Sequence, residues 1–135
     1  MEEKPVEIKQ VSEKEIWVGE HRLYLGEDNI NYITPSEGDM DEKRAIEASQ
    51  ASLRLMNMVQ GKVNCLIDLN KAGQQSSGAR KIWKEWSENE KTGKVALFGL
   101  HPVARVVASF FMGISQKKDM RFFKTREEAL AWLKK

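Results

Sequence analysis

Few residues in this chain are equipped for chemistry. Histidine occurs twice, at His21 and His101, and cysteine once, at Cys65. A single cysteine closes no disulfide within the chain and builds no cysteine-based zinc site. Cys65 stands inside the apolar run Val63-Asn64-Cys65-Leu66-Ile67-Asp68-Leu69 and reads as a small core residue. The phosphate-cradling patterns Gly-x-x-x-x-Gly-Lys-Ser/Thr and Gly-x-Gly-x-x-Gly are absent, as is the Gly-x-Ser-x-Gly nucleophile elbow. Asp68 falls near the end of the apolar run, and the ends of parallel strands are where sites form. Accepting hydrogen bonds from the following loop is the plainer role for its carboxylate. An enzyme would have to combine Asp68, His101 and Arg105, and no spacing demands that combination. No catalytic residue, cofactor or metal is expected.

The segment with most to offer is the polar loop Asp68-Leu69-Asn70-Lys71-Ala72-Gly73-Gln74-Gln75-Ser76-Ser77-Gly78-Ala79. It leaves a buried run and ends in Ser-Ser-Gly just before the helix-spaced positions Ala79, Ile82, Trp83 and Trp86. The first turn of a helix presents unpaired N–H groups and a partial positive charge. A phosphate on Ser76 or Ser77 would sit in that field, with Arg80 at hand to bind it. The same hydroxyls also serve as plain N-caps, which is their commoner use.

The elements that must position this loop follow from periodicity. Segments 15–18, 21–25 and 30–34 alternate, carry aromatic residues and are separated by Gly, Asn and Asp, which predicts three short strands. Residues 1–12 are polar and fit either an extra edge strand or a loose arm. Asp39 and Glu42 form a capping box ahead of Ala45, Ala48, Ser52, Leu55, Met56 and Val59, a helix that Gly61 ends. Residues 63–69 form a buried strand, followed by the loop and a second helix that Gly93 ends. Residues 95–100 form the next buried strand. His101-Pro102 opens a third helix, in which Val103, Val106, Val107, Phe110, Phe111 and Ile114 make an apolar stripe expected to face the core. Residues 120–123 are a last strand, and Thr125 with Glu128 caps a closing helix that carries Ala129, Leu130, Trp132 and Leu133. This order predicts an α/β domain: a mixed sheet, mostly parallel with antiparallel N-terminal edge strands, and about four helices.

Composition narrows the function class. A length of 135 residues suits one domain, and 22 basic against 20 acidic residues leave a net charge of +2. That balance provides no basic stripe for nucleic acid. No apolar run is long enough to span a bilayer, and the acidic, polar start Met1-Glu2-Glu3-Lys4-Pro5 has no signal-peptide pattern, so a cytoplasmic protein is expected. Trp83 and Trp86, three apart on one helix, either fill the core or build a homodimer interface; the simpler expectation is a core Trp83 and a half-buried Trp86. The apolar third helix, with Phe110-Phe111-Met112, offers a small-molecule or lipid site as an alternative, against a preferred core role.

The Ser76-Ser77-Gly78 turn resembles the Asp-Ser-Ser-Gly signature of STAS domains, modules named for sulfate transporters and anti-sigma-factor antagonists. Residues 30–41 are similar to that family's strand and Gly-Glu-Leu-Asp-like entry to its first helix. Residues 96–105 resemble its strand followed by a helix opening near a proline, and residues 120–133 its final strand and closing helix. The likeness covers about residues 21–135. It implies a single STAS-like domain over residues 15–135 behind a polar extension of residues 1–14. It also implies a non-enzymatic regulatory module that binds a protein partner. In the bacterial antagonists the second serine is phosphorylated by a partner kinase that is also the anti-sigma factor, and phosphorylation releases that partner. That role falls here on Ser77, with Ser76 beside it and a partner-binding loop of Asp68, Asn70, Lys71, Gln75, Gly78 and Arg80. Gln75 stands where the family has aspartate, and Ala79-Arg80 where it has a Leu-Gly-like pair. Lipid-carrying Sec14-like domains share a similar fold, which the alternative ligand-binding reading draws on.

Overall fold

The computed structural model describes residues 6–36, 38–114 and 119–135, and the side chains of Phe110, Phe111 and Ile114 fall outside that description. The strands β1 (Ile8–Ser12), β2 (Glu15–Val18), β3 (His21–Leu25), β4 (Asn31–Thr34), β5 (Val63–Asp68), β6 (Thr92–Phe98) and β7 (Met120–Phe123) pair in chain order into one sheet. The three pairings from β1 to β4 are antiparallel and the three from β4 to β7 are parallel. The parallel connections carry α1 (Glu42–Met56), α2 (Ser77–Ser87) and α3 (Pro102–Ile114), and α4 (Arg126–Leu133) follows β7. No helix among the described residues is long and apolar enough to cross a membrane.

Strands that add in chain order through crossovers of one hand place every crossover helix on the same face of the sheet. The packing follows that rule. Ile16, Val18, Leu23, Cys65, Ile67, Val95 and Leu97 alternate along their strands toward α1, α2 and α3 and form the main core with Ala45, Leu55, Met56 and Trp83. The opposite-facing residues Tyr32, Leu66, Ala96 and Phe98 meet Ala129 and Leu133 of α4 in a smaller second core. β1 takes up the edge-strand reading of the N-terminal segment. All five of its residues are exposed, and its pairing with β2 slips between Gln10 and Ser12. Residues 1–5 of the expected extension lie outside the described residues.

Several boundaries differ from the sequence expectation. The N-cap of α1 is Asp41, which accepts from the Arg44 N–H at 2.8 Å, rather than Asp39. The chain stays extended through Met40 because that residue forms a parallel bridge with Gln75: Met40 N–H donates to the Gln74 carbonyl at 2.9 Å, and Ser76 N–H donates to the Met40 carbonyl at 3.0 Å. α1 ends at Met56 with Asn57 as its C-cap, and Gly61 serves a later turn at φ +77° that L-residues rarely adopt. α2 ends at Ser87, and Gly93 belongs to β6. A Cβ there would lie 2.5 Å from Asn64 Oδ1 and 3.2 Å from the Val63 backbone, so this glycine marks close strand approach rather than a helix stop. β6 ends at Phe98, which leaves Leu100 beyond the sheet and 72% exposed.

Trp86 is buried rather than half-buried, and a polar chain explains why. Its Nε1–H donates to Ser52 Oγ at 2.9 Å, the Ser52 hydroxyl donates to Asn31 Oδ1 at 2.5 Å, and the Asn31 amide donates to the Tyr24 carbonyl at 3.2 Å. This chain joins α2, α1, β4 and β3 through the middle of the main core.

Candidate functional site

Because β4 to β7 are parallel, their carboxyl ends gather at one end of the sheet. The described loop residues there include 35–36, 38–41, 69–76 and 99–101. Asp68 and Asn70 hold them together. Asp68 Oδ1 accepts from the Asn70 N–H at 2.9 Å and from the Asn70 side-chain amide at 3.0 Å. Asn70 Oδ1 in turn accepts from the Leu100 N–H at 2.9 Å. Leu69 N–H donates to the Phe98 carbonyl at 2.9 Å, and Gly73 N–H to the Ser36 carbonyl at 3.3 Å. Two of the six predicted partner-loop residues therefore shape the loop from within.

His21 enters the same end because β3 is antiparallel to β4. It is buried, and its Nδ1 accepts from the Ser36 N–H at 2.9 Å. Burial first, and then the nearby Arg44 charge, hold the imidazole below its ordinary pKa of 6.5, with Glu20 and Asp41 acting weakly the other way. A protonated ring could not accept at Nδ1. The folded pKa lies below the unfolded one, so the native state is disfavoured as the pH falls below about 6.5 and down through the folded value. Thermal unfolding measured from pH 7.5 to 5 should show a falling Tm in that window, and the slope should flatten in His21→Asn, whose Oδ1 accepts but does not titrate. An equal slope in both proteins would place the pH sensitivity elsewhere.

The serine pair divides its work. Ser76 is the N-cap of α2, and its Oγ accepts from the Ala79 N–H at 3.0 Å. Ser77 is the first helical residue, exposed at the surface. Gly78 lies against α1, where a Cβ would come within 2.9 Å of the Glu42 Cβ. Lys71 is exposed, and Gln75 and Arg80 are half-buried along the same rim. The sequence-read segment runs from the end of β5 into the first turn of α2, with Asn70, Lys71, Gln74, Ser76 and Ser77 exposed and Leu69 and Ala79 buried.

Asp68, His101 and Arg105 make separate contacts. Asp68 is occupied by Asn70, His101 Nδ1 accepts from the Val103 N–H at 3.2 Å, and the Arg105 guanidinium lies 5.9 Å from the Phe122 ring centre. Among the described residues no group of three or more His, Cys, Asp or Glu side chains is placed to hold a metal.

Two residues of the expected core stripe of α3, Val103 and Val106, are the main correction at this site. Among the described side chains of α3, Ala104 and Ala108 are buried, whereas Val103 and Val106 are 40% and 55% exposed. Val107 is half-buried against the core, and Phe110, Phe111 and Ile114 lie outside the described side chains. Met112, the residue in excess of the stripe, is 37% exposed. The turn into α3 is tight: a Cβ on Gly99 would sit 2.6 Å from the Ala104 Cβ. Val103 and Val106 face outward and form one wall of a groove of about 470 Å³ whose other wall includes Gln75 and Arg80. Sequence reasoning missed Val103 and Val106. The available signal was a helix whose apolar residues exceed a single face while two alanines recur four apart.

A family profile described as Domain of unknown function (DUF7793) matches residues 24–135. A search of curated proteins finds no match. Among solved structures, the chain is similar to an uncharacterised protein of the DUF3478 family with a SpoIIAA-like fold from Shewanella loihica PV-4. The two share a TM-score of 0.62 and 13% identity, with 98% of each chain covered. A protein of unknown function from Arthrobacter sp. FB24 is 24% identical over 82% of this chain and 90% of that one, with a TM-score of 0.29. The Shewanella structure shows the fold: a mixed α/β sheet of SpoIIAA-like type.

Proposed function

The chain belongs to the DUF7793 family, and we propose that it works as a non-enzymatic regulatory module that docks a protein partner at the carboxyl end of its sheet, with phosphorylation of Ser77 releasing that partner. The observation that carries this reading is the apolar surface of Leu100, Val103 and Val106, left exposed at the same end as the exposed Ser77. Apolar residues grouped beside a polar rim mark interaction surfaces. Lys71, Gln75 and Arg80 supply that rim, while Asp68 and Asn70 keep the loop in shape.

Ser77 suits a switch because Ser76, not Ser77, provides the cap. A phosphate at the first helical position is stabilised by the helix N-terminus and lies one turn from Arg80. Added charge beside an apolar face raises the cost of burying that face in a complex. The test is affinity capture from the native host with wild type, Ser77→Ala, Ser77→Asp and Val106→Glu, together with mass spectrometry of the peptide that contains Ser76 and Ser77. Acidic residues in a first helical turn are favourable by about 0.3–1 kcal/mol, so Ser77→Asp should remain folded. Wild type and Ser77→Ala should retain a common partner that Ser77→Asp and Val106→Glu lose, and phosphate should be found on Ser77. Identical partner sets for all four proteins, with no phosphate, would remove the proposal.

A further inference from the structure

Two adjoining hollows lie between α2 and α3. The outer one is the groove of about 470 Å³, lined by Gln75, Arg80, Val103, Val106 and Val107 among others. The inner one, of about 20 Å³, reaches Met40, Leu69, Trp83 and Leu97. Gln75 and Val107 line both, which makes them one recess with a wide mouth and a narrow floor. Trp83 is 3% exposed, and its Nε1 is the buried side-chain polar atom that has no hydrogen-bond partner among the described residues. Trp86, its neighbour in a T-shaped ring contact at 5.3 Å, has its Nε1 satisfied by Ser52. Buried donors in native proteins are nearly always paired, and an orphan calls for an acceptor.

We infer that this recess binds an apolar monocarboxylate, a medium-chain acyl or aryl acid. Its volume lies within the roughly 300–1,000 Å³ typical of small-molecule sites, and its walls are mainly aliphatic with few polar groups, as such sites require. Arg80 and Trp83 stand three apart on α2 and so share one face of the helix. A carboxylate only accepts hydrogen bonds, through two oxygens, and can take an N–H from each of them. The guanidinium carries five N–H donors, more than any one partner uses. The apolar body then lies along Val103, Val106 and Val107, which removes from water the surface that α3 leaves exposed. A protein docked across the mouth would cover the valines and leave Trp83 Nε1 as it is. The orphan donor is therefore what favours a small ligand, whether or not a partner also docks at this end.

The test is a titration of the full chain with decanoate below its micelle concentration, followed through the tryptophan indole N–H resonances in a nitrogen-proton correlation spectrum. Four tryptophans give four such signals, and the one missing in Trp83→Phe is assigned to Trp83. Decanoate should shift the Trp83 signal saturably and by more than the signals of Trp17 and Trp132. Arg80→Gln should weaken binding about tenfold or more, as expected for loss of a charge-assisted hydrogen bond. Val106→Glu, a change at an exposed position, should abolish it, and decanol should bind more weakly than decanoate. The inference is overturned if Val106→Glu binds as wild type does, if decanol equals decanoate, or if neither decanoate nor 1-naphthoate moves the Trp83 signal saturably. Each of these outcomes is read on the isolated chain and is independent of partner capture.

Discussion

Ser52→Ala should lower the unfolding free energy by about 2–4 kcal/mol, although it removes a single oxygen atom. The Ser52 hydroxyl is completely buried, donating to Asn31 Oδ1 and accepting from Trp86 Nε1. Alanine leaves both partners buried without their bond, and a stranded buried donor or acceptor costs about 1–3 kcal/mol, far more than the net worth of a bond made and matched. Ser49→Ala is the control. Ser49 is also buried on α1, but its hydroxyl donates to the Ile46 carbonyl of its own helix, so its removal strands no side chain. That change should fall within about 0.5 kcal/mol of wild type, helped by the better helix propensity of alanine. Urea unfolding of the three proteins checks the pair, with unchanged m-values to show that the two-state comparison holds. Equal stability of Ser52→Ala and Ser49→Ala would mean that the polar chain is not holding α1 and α2 to the sheet.

The two serines also show what a sequence reveals and what it withholds. Both lie on α1 in positions compatible with its buried face, and periodicity cannot tell that one reaches across to β4 and α2. Alternation and turn residues made the strands from β2 onward legible, since burial on one face of a sheet enforces a two-residue period. The capping pair Thr125 and Glu128 was legible for the same local reason: the Glu128 N–H donates to Thr125 Oγ1 and the Thr125 hydroxyl to Glu128 Oε1. The first helix began two residues later than its capping pattern indicated because Met40 is held by Gln75, a contact across 35 positions of sequence that no local pattern records. At the site, the Ser76 cap and the Asp68 turn were legible, being bonds between near neighbours in the chain. The outward Val103 and Val106 and the orphan Trp83 donor were not, because hydrophobicity ranks valine above alanine for the core, while the close contact of Ala104 with the turn at Gly99 and the surroundings of Trp83 Nε1 depend on how the elements meet in space. Periodicity finds the faces of a helix; the spacing between backbones decides which face is buried.

That spacing carries the second large effect. Gly99→Ala should cost about 1–3 kcal/mol, the range for forcing extra volume into a packed interior. Gly99 is buried where β6 hands over to α3, and an added Cβ would meet the Ala104 Cβ at 2.6 Å, with Asn70 Oδ1 at 3.4 Å on another side. The first contact is too short for any pair of carbon atoms, so the start of α3 has to move away from the sheet. Ala104→Gly removes the opposing methyl and should cost about 1 kcal/mol on its own, from the poorer helix propensity of glycine. If the two methyls compete for one space, the double variant should be about as stable as Ala104→Gly alone, giving a coupling of about 1–2 kcal/mol against the additive sum. Independent, additive costs would show that α3 yields elsewhere and that the Gly99–Ala104 contact does not set its distance from β6. The same cycle bears on the site. In Gly99→Ala the displaced helix should carry Val103 and Val106 away from Arg80, so the groove should change shape in the single variant and regain its native form in the double. Decanoate binding by the three variants would follow that order even if their stabilities were brought level by added salt, because the groove depends on where α3 sits rather than on how firmly the domain is folded.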